Sequence, residues 1–346
     1  MKTHPLLEIV KEHGDPIIEG NQVTFVWQGK NAPRLLDDIH GWEENPQKMT
    51  RIAKDLWGYS MQLPLDAYLE YCFYDPRAKQ RITDPLNGDT VYNGLGNYNH
   101  FFSMPEHSST QLAEFNKKIP HGKVTRHLVD TWMLADNDQR EVYLYSPPVK
   151  EPVALLIVYD GADYLERAKL NIIADNLIHE KRIQPIAMAF LHNGGDHRTL
   201  EYACSDATIM WLDNVILPLT REHLNLLDTP GAHGALGASF GGLMALYTGL
   251  RMPEVFGKVI SQSGVFESDG RDFAAVDLLH ARQKREIKIW MDVGRFDWLV
   301  EDNRRLQPIL QENGYNVTYR EFNGGHNYTC WQNEVGIALE NMFGNG

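Results

Sequence analysis

Two kinds of hydrophobic patterning divide the chain. From about residue 15 to 110, short runs of near-alternating polarity ("QVTFVWQG", "LWGYSMQLP", "LEYCFYD") carry β-branched and aromatic residues and end in Gly, Pro, Asn or Asp. Half-buried antiparallel strands read this way. Between them lie turn-rich stretches such as "DPLNGDTVYNGLGNYN". The pattern predicts a small β-sandwich. Residues 111–122, "QLAEFNKKIPHG", read as a connector, which puts the boundary near residue 120 and divides the chain into 1–120 and 121–346.

Past that point apolar runs alternate with helical spacing. A hairpin-like start ("KVTRHLVDTWML", "REVYLYSPP") leads to "VALLIVYD", a helix near 165–180 and "IQPIAMAFL". A long amphipathic segment over roughly 203–223 precedes "GAHGALGAS", and a helix follows at 241–250. Then come "GKVISQSG", "EIKIWMDVG", a helix at 301–313, "NVTYREFNGG" and a final helix. Several of these runs are apolar at consecutive positions, as strands covered on both faces must be. The expected architecture is a mostly parallel sheet flanked by helices, preceded by the smaller β domain.

Composition narrows the classes. At 346 residues there is room for two domains, and 43% hydrophobic with 23% charged residues is globular composition. No run approaches 18 apolar residues, so no membrane helix is expected, and the first residues do not read as a signal peptide. Cys72, Cys204 and Cys330 are widely spaced. They suggest neither a disulfide framework nor a zinc cluster, and they suit a reducing cytoplasm. The net charge of −13, with no compensating basic run, argues against nucleic acid as a partner.

One motif carries chemistry. Gly237-Ala238-Ser239-Phe240-Gly241 fits G-x-S-x-G where a strand pattern passes into a helix pattern. A serine on that sharp turn is held in a strained backbone conformation, and only very small residues fit two positions to either side. With Gly and Ser each near 7% of residues, chance produces such a match in roughly one chain in ten of this length, so its placement matters more than its letters. A serine hydroxyl needs a histidine to take its proton, and that histidine needs a carboxylate. His326, in "NGGHNYTCW", follows a strand pattern in a glycine-rich loop before the last helix. For the acid, "IWMDVGRFDWLVEDN" offers Asp292 inside the strand, Asp297 just past its end and Asp302 at the next helix start, where it could cap the helix. Asp297 is the favoured choice. The oxyanion hole would use the Phe240 N–H and that of Gly161 or Ala162, with Asp160 tying down the latter turn.

With these residues in place, the chain resembles the enterochelin esterase family, within a larger esterase group that includes esterase D and feruloyl or acetylxylan esterases. "GASFGGLMALYTGLRMPEVFGKVISQSG", "GRFDWLVEDNRRL" and "NGGHNYTCW" carry the resemblance, and "HRTLEYACSDATIMWLDNVILP" adds an Arg-x-x-Glu segment, here Arg198 and Glu201. The N-terminal half resembles that family's immunoglobulin-like E-set domain. The resemblance implies an α/β hydrolase that cleaves small-molecule carboxylic esters through an acyl-enzyme, with the triad Ser239, Asp297 and His326 and neither metal nor cofactor. It implies Arg198 and Glu201 as a buried pair. Arg198, Glu201, Trp298 and Trp331 are the substrate-pocket candidates. Val265 to Ser268, Asn327 and His233 differ from what siderophore esterases usually carry, so siderophore-type lactones and acyl-sugar or aromatic esters both stay open. Two other readings also stay open. One is a carbohydrate-binding protein with an inactive hydrolase domain, using Trp27, Trp42 and Trp57. The other is a hydrolase of amides or thioesters. The sequence leaves the oligomeric state open.

Overall fold

The computed structural model describes residues 4–136, 138–280 and 284–345. The chain divides into two compact units. The first takes in Met1–Ser109 together with two short returning turns, Gly294–Trp298 and Phe322–Cys330; the second takes in the remainder.

The first unit, here the β unit, opens with a helix that the alternating pattern does not predict, α1 (Pro5–His13). His4 caps it by accepting the Leu6 N–H on its ring nitrogen, and Pro5 starts it with a preset φ. Ten antiparallel strands follow: β1 (Ile17–Glu19), β2 (Gln22–Gln28), β3 (Arg34–Asp37), β4 (Gln47–Lys48), β5 (Thr50–Ala53), β6 (Leu56–Gln62), β7 (Tyr68–Asp75), β8 (Gln80–Ile82), β9 (Thr90–Tyr92) and β10 (Tyr98–Ser103). One sheet runs β1-β2-β6-β5. The other runs β4-β3-β7-β10-β9, with β8 paired to β7. Strand alternation fills the space between them. Val23 and Phe25 of β2 share one core with Leu35, Tyr71, Phe73 and Phe102 from the other sheet. Val26 turns to the opposite face, where Leu7 and Val10 of α1 cover it.

The second unit, the sheet unit, is built on eight strands in the order β11-β12-β14-β13-β15-β16-β19-β20. These are β11 (Lys123–Asp130), β12 (Gln139–Ser146), β13 (Ala154–Val158), β14 (Ile186–Leu191), β15 (His233–Ala238), β16 (Phe256–Gln262), β19 (Lys288–Gly294) and β20 (Asn316–Phe322). A two-stranded ribbon, β17 (Glu267–Ser268) and β18 (Arg271–Asp272), lies outside this sheet. β11 and β12 form the antiparallel hairpin, whereas β14, β13, β15, β16 and β19 pair in parallel. Every residue of β13, β14 and β15 is buried, which explains their unbroken apolar runs. The chain moves from β13 to β14 on one side and then to β15 on the other. The ends of β13 and β15 therefore flank a switch point, where open α/β sheets hold their sites.

The helices are α2 (Gly161–Glu166), α3 (Leu170–His179), α4 (Arg198–Tyr202), α5 (Asp206–Trp211), α6 (Leu217–His223), α7 (Phe240–Arg251), α8 (Ala274–Leu279), α9 (Val300–Glu312) and α10 (Tyr328–Phe343). Two differ from expectation. The helix expected at 165–180 is two helices, broken where Lys169 takes a left-handed φ of 51°. The 203–223 segment passes from α5 to α6 through a π turn, Leu212–Ile216. The connector also differs. Residues 111–122 belong with the sheet unit, because Asn176 donates to the carbonyls of Leu112 and Glu114 and Asp175 holds His121. No described helix is long and apolar enough to cross a membrane.

Candidate active site

Ser239 sits between β15 and α7 with φ 58° and ψ −125°, a conformation L-residues avoid. Such strain costs on the order of 1–3 kcal/mol, so the surroundings must impose it. They do. Its N–H donates to the Gln262 carbonyl on β16 (2.9 Å), and its carbonyl accepts from Gly242 and Leu243 at the start of α7 (3.0 and 3.2 Å). Space requires the first flanking glycine and crowds the second. A Cβ on Gly237 would lie 2.3 Å from the Gly241 backbone, and one on Gly241 would lie 3.0 Å from Asp160 Oδ2.

The turn after β13 runs beside this elbow, with the Tyr159 N–H on the Leu236 carbonyl at 2.9 Å. Asp160 adopts φ 53° and is nearly inaccessible. Arg198 clamps its carboxylate as a fork, Nε to Oδ1 and Nη2 to Oδ2, both 2.6 Å, and Asn193 Nδ2 adds a bond of 2.8 Å. Gly161 lies so close to β14 that a Cβ would meet the Phe190 backbone at 2.3 Å. Gly161 opens α2 and Phe240 opens α7, so both N–H groups belong to first turns that cannot pair internally.

Arg198 and Glu201 are not paired with each other. Glu201 is buried and takes two bonds from Arg140 (2.7 and 2.8 Å), while Arg198 serves Asp160. Side-chain direction on the short helix α4 sends the two to different neighbours. Trp331 is likewise buried, its indole N–H on Ser263 Oγ (3.1 Å). Glu201 and Trp331 are thus 2% and 4% exposed, their polar groups turned to partners inside the protein.

The three acids separate by environment. Asp292 is fully buried under Trp290 Nε1 (2.7 Å) and Gln262 Nε2 (3.2 Å), and burial pushes its carboxyl up to about 8. Asp302 does not cap α9, whose N-cap is Leu299; its Oδ2 instead accepts the N–H groups of Phe266 and Glu267 (2.6 and 3.1 Å).

Asp297 lies in the returning turn of the β unit, 2% exposed, with Oδ2 2.8 Å from His326 Nδ1. A carboxylate only accepts, so Nδ1 is the donor, and in the neutral ring Nε2 carries the lone pair. The half-exposed Trp298 ring leans over the imidazole, centroids 4.3 Å apart. The two turns are joined by backbone bonds, Arg295 N–H to Phe322 C=O (2.8 Å) and Phe296 N–H to Gly324 C=O (3.0 Å). They cross so closely that a Cβ on Gly294 would fall 2.2 Å from the Gly324 oxygen.

Side chains from the first hundred residues hold these turns, and the motif reading passes over them: Asp38, Asp66 and Tyr68. Their sequence signal is faint, an acidic pair in "LLDDIHGW" where a strand ends. In the same unit the three N-terminal tryptophans spend their indole N–H groups internally, Trp27 on Asn31, Trp42 on Asp38 and Trp57 on Gly29.

A family model described as "Putative esterase" matches residues 135–340, more than half of the chain. The chain belongs to that esterase family. It is a carboxylic ester hydrolase. The iron(III) enterobactin esterase of Dickeya dadantii is 25% identical, covering 92% of this chain and 88% of that protein. The crystal structure of ferric enterobactin esterase from Salmonella typhimurium superimposes with a TM-score of 0.80 at 22% identity, covering 95% of this chain and 96% of that one. A ferulic acid esterase from the anaerobic fungus Anaeromyces mucronatus gives a TM-score of 0.56 at 16% identity, over 68% of this chain and 94% of that one. The fold is of the α/β-hydrolase type.

Proposed function

We propose that this esterase works through an acyl-enzyme with Ser239 as nucleophile, His326 as base and Asp297 as its orienting acid. The hydrogen bond between Asp297 and His326, in the chain order serine, acid, histidine, carries the reading. Ser239 Oγ attacks the ester carbonyl carbon while His326 Nε2 takes its proton. Asp297 holds the ring and stabilises the imidazolium. The N–H groups of Phe240 and of Gly161 or Ala162 receive the oxyanion, with Arg198 fixing that turn through Asp160. The imidazolium then protonates the departing alkoxide. Water, deprotonated by His326, releases the acid and restores Ser239.

For substrate we favour a siderophore-type lactone over acyl-sugar or aromatic esters. The support is coverage: the enterobactin esterases match the chain with its β unit, whereas the ferulic acid esterase spans 68% of it. We read the β unit, two antiparallel sheets about one core, as immunoglobulin-like. The test sets wild type beside Ser239→Ala on a catecholate trilactone, short p-nitrophenyl esters, feruloylated and acetylated oligosaccharides, and a peptide amide. The trilactone should give the highest kcat/KM, and the alanine variant should lose about 10⁴–10⁶ in kcat. An alanine variant as active as wild type refutes the nucleophile; a better sugar ester refutes the substrate class.

A further inference from the structure

The glycine-rich turn that carries His326 is braced by side chains of the β unit in addition to its backbone bonds. Asn327, the residue after the histidine, donates its Nδ2 to Asp38 Oδ2 at 3.3 Å. Gly325, the residue before it, lies against the same carboxyl group. A Cβ there would fall 2.1 Å from Asp38 Cγ and 2.4 Å from both oxygens. Gly325 has no left-handed φ, so space and not backbone freedom demands glycine. Asp38 thus touches the residues on both sides of His326.

Asp38 is itself fixed. It follows β3 directly and is 2% exposed. Its Oδ2 accepts the Glu70 N–H (2.9 Å) and its Oδ1 the Trp42 indole N–H (3.2 Å). Burial, with Glu70 beside it, pushes its carboxyl well above the ordinary range. Further bonds hold the flanks of the turn. The Tyr68 N–H donates to the Asn323 carbonyl (3.1 Å), Asn323 Nδ2 to Asp66 Oδ1 (2.7 Å), and Tyr68 Oη to Thr329 Oγ1 (3.4 Å). Phe296, in the turn that carries Asp297, packs against the core of the two sheets.

We propose that Asp38 is a positioning residue for catalysis: wedged against Gly325 and bonded to Asn327, it sets where the His326 imidazole stands. The inference rests on His326 being the base. A displacement of about 1 Å at a catalytic group costs on the order of 100-fold in rate, and a merely stabilising carboxyl would not produce that loss in a folded enzyme.

The experiment is a double-mutant cycle on the full chain with a p-nitrophenyl ester, reading kcat, KM and melting temperature. Asp38→Ala should lower kcat about tenfold with KM within about twofold. Asp38→Asn, which keeps an acceptor for Glu70 and Asn327, should stay within about threefold of wild type. Gly325→Ala should lose about 100-fold, and Gly325→Ala/Asp38→Ala should recover at least about tenfold over Gly325→Ala because the obstructing carboxyl is gone. Asp38→Ala at the wild-type kcat, or a double variant no better than Gly325→Ala, overturns the proposal. If Asp38→Ala does not fold, Asp38→Gly and Asp38→Ser are put through the same cycle and judged by the same outcomes. His326→Ala separates the two levels. If it keeps the wild-type rate, the assigned base falls and this inference with it; if it is dead while Asp38→Ala is fully active, the inference alone falls.

Discussion

The Ser239 elbow and the His326 turn are both tight and glycine-rich, yet they are held in opposite ways. At the elbow, backbone meets backbone: Gly237 against Gly241, the Ser239 carbonyl under two N–H groups of α7, its N–H on β16. Apart from Asp160 beside Gly241, these contacts lie within a few residues and one adjacent strand. Beyond its backbone bonds to the 294–296 turn, the His326 turn is held by side chains about 260 to 290 residues away in sequence, above all Asp38 on Gly325 and Asn327. Local sterics specify the first. Long-range hydrogen bonds and a side-chain wedge specify the second.

The comparison breaks most sharply at the glycines. Gly237→Ala should abolish measurable turnover, a loss of at least about 100-fold, and no second substitution should recover it, because the obstacle is the backbone of Gly241. The Gly325→Ala defect, in contrast, should be repairable at Asp38. A suppressor screen on each variant checks this: a strong single-site suppressor of Gly237→Ala outside the elbow would erase the distinction.

The same contrast explains what the sequence made legible. The elbow announces itself as G-x-S-x-G because its constraints fall at fixed short spacings. The hairpin of β11 and β12 and the buried runs of β13 to β15 are equally plain, since strand burial writes itself into consecutive residues. Asp297, read from its place just past a strand end, is bonded to His326, while Asp292 and Asp302 take other partners. What stayed hidden depends on direction rather than spacing. Arg198 and Glu201, three residues apart, take different partners, Asp160 and Arg140. The return of residues 294–298 and 322–330 to the β unit leaves no local trace, because Asp38 and Asn327 are 289 positions apart.

A smaller effect sharpens the elbow side. Arg198 is half-buried and forks onto Asp160, and in the proposed mechanism it holds the turn that carries Gly161. Arg198→Gln should lower kcat about tenfold with little change in KM, the signature of a lost transition-state interaction. A rise in KM at constant kcat would instead make Arg198 a substrate contact.

The smallest effect separates the two units by pH. His233, at the start of β15, is 7% exposed and accepts the Leu155 N–H on Nδ1 at 3.0 Å, so protonation there must break a bond. Burial, reinforced by Arg221 and Lys258, lowers its pKa to about 4. Between that value and the ordinary histidine value near 6.5 the unfolded chain holds more protons than the folded one. Stability is therefore complete above about pH 6.5 and falls as pH drops toward 4, by about 2–3 kcal/mol. In the β unit the sign reverses. Asp15 is buried with Oδ1 on the Val26 N–H (2.9 Å), and burial together with Asp84 pushes its carboxyl far above the ordinary range. Its folded form favours the proton, so its contribution is present in acid and erodes as pH rises above the carboxylate range. Urea unfolding from pH 4 to 9 should show a flatter acid limb in His233→Gln and a flatter alkaline limb in Asp15→Asn. Flattening of the same limb by both variants would show that one buried network, not two, governs the response.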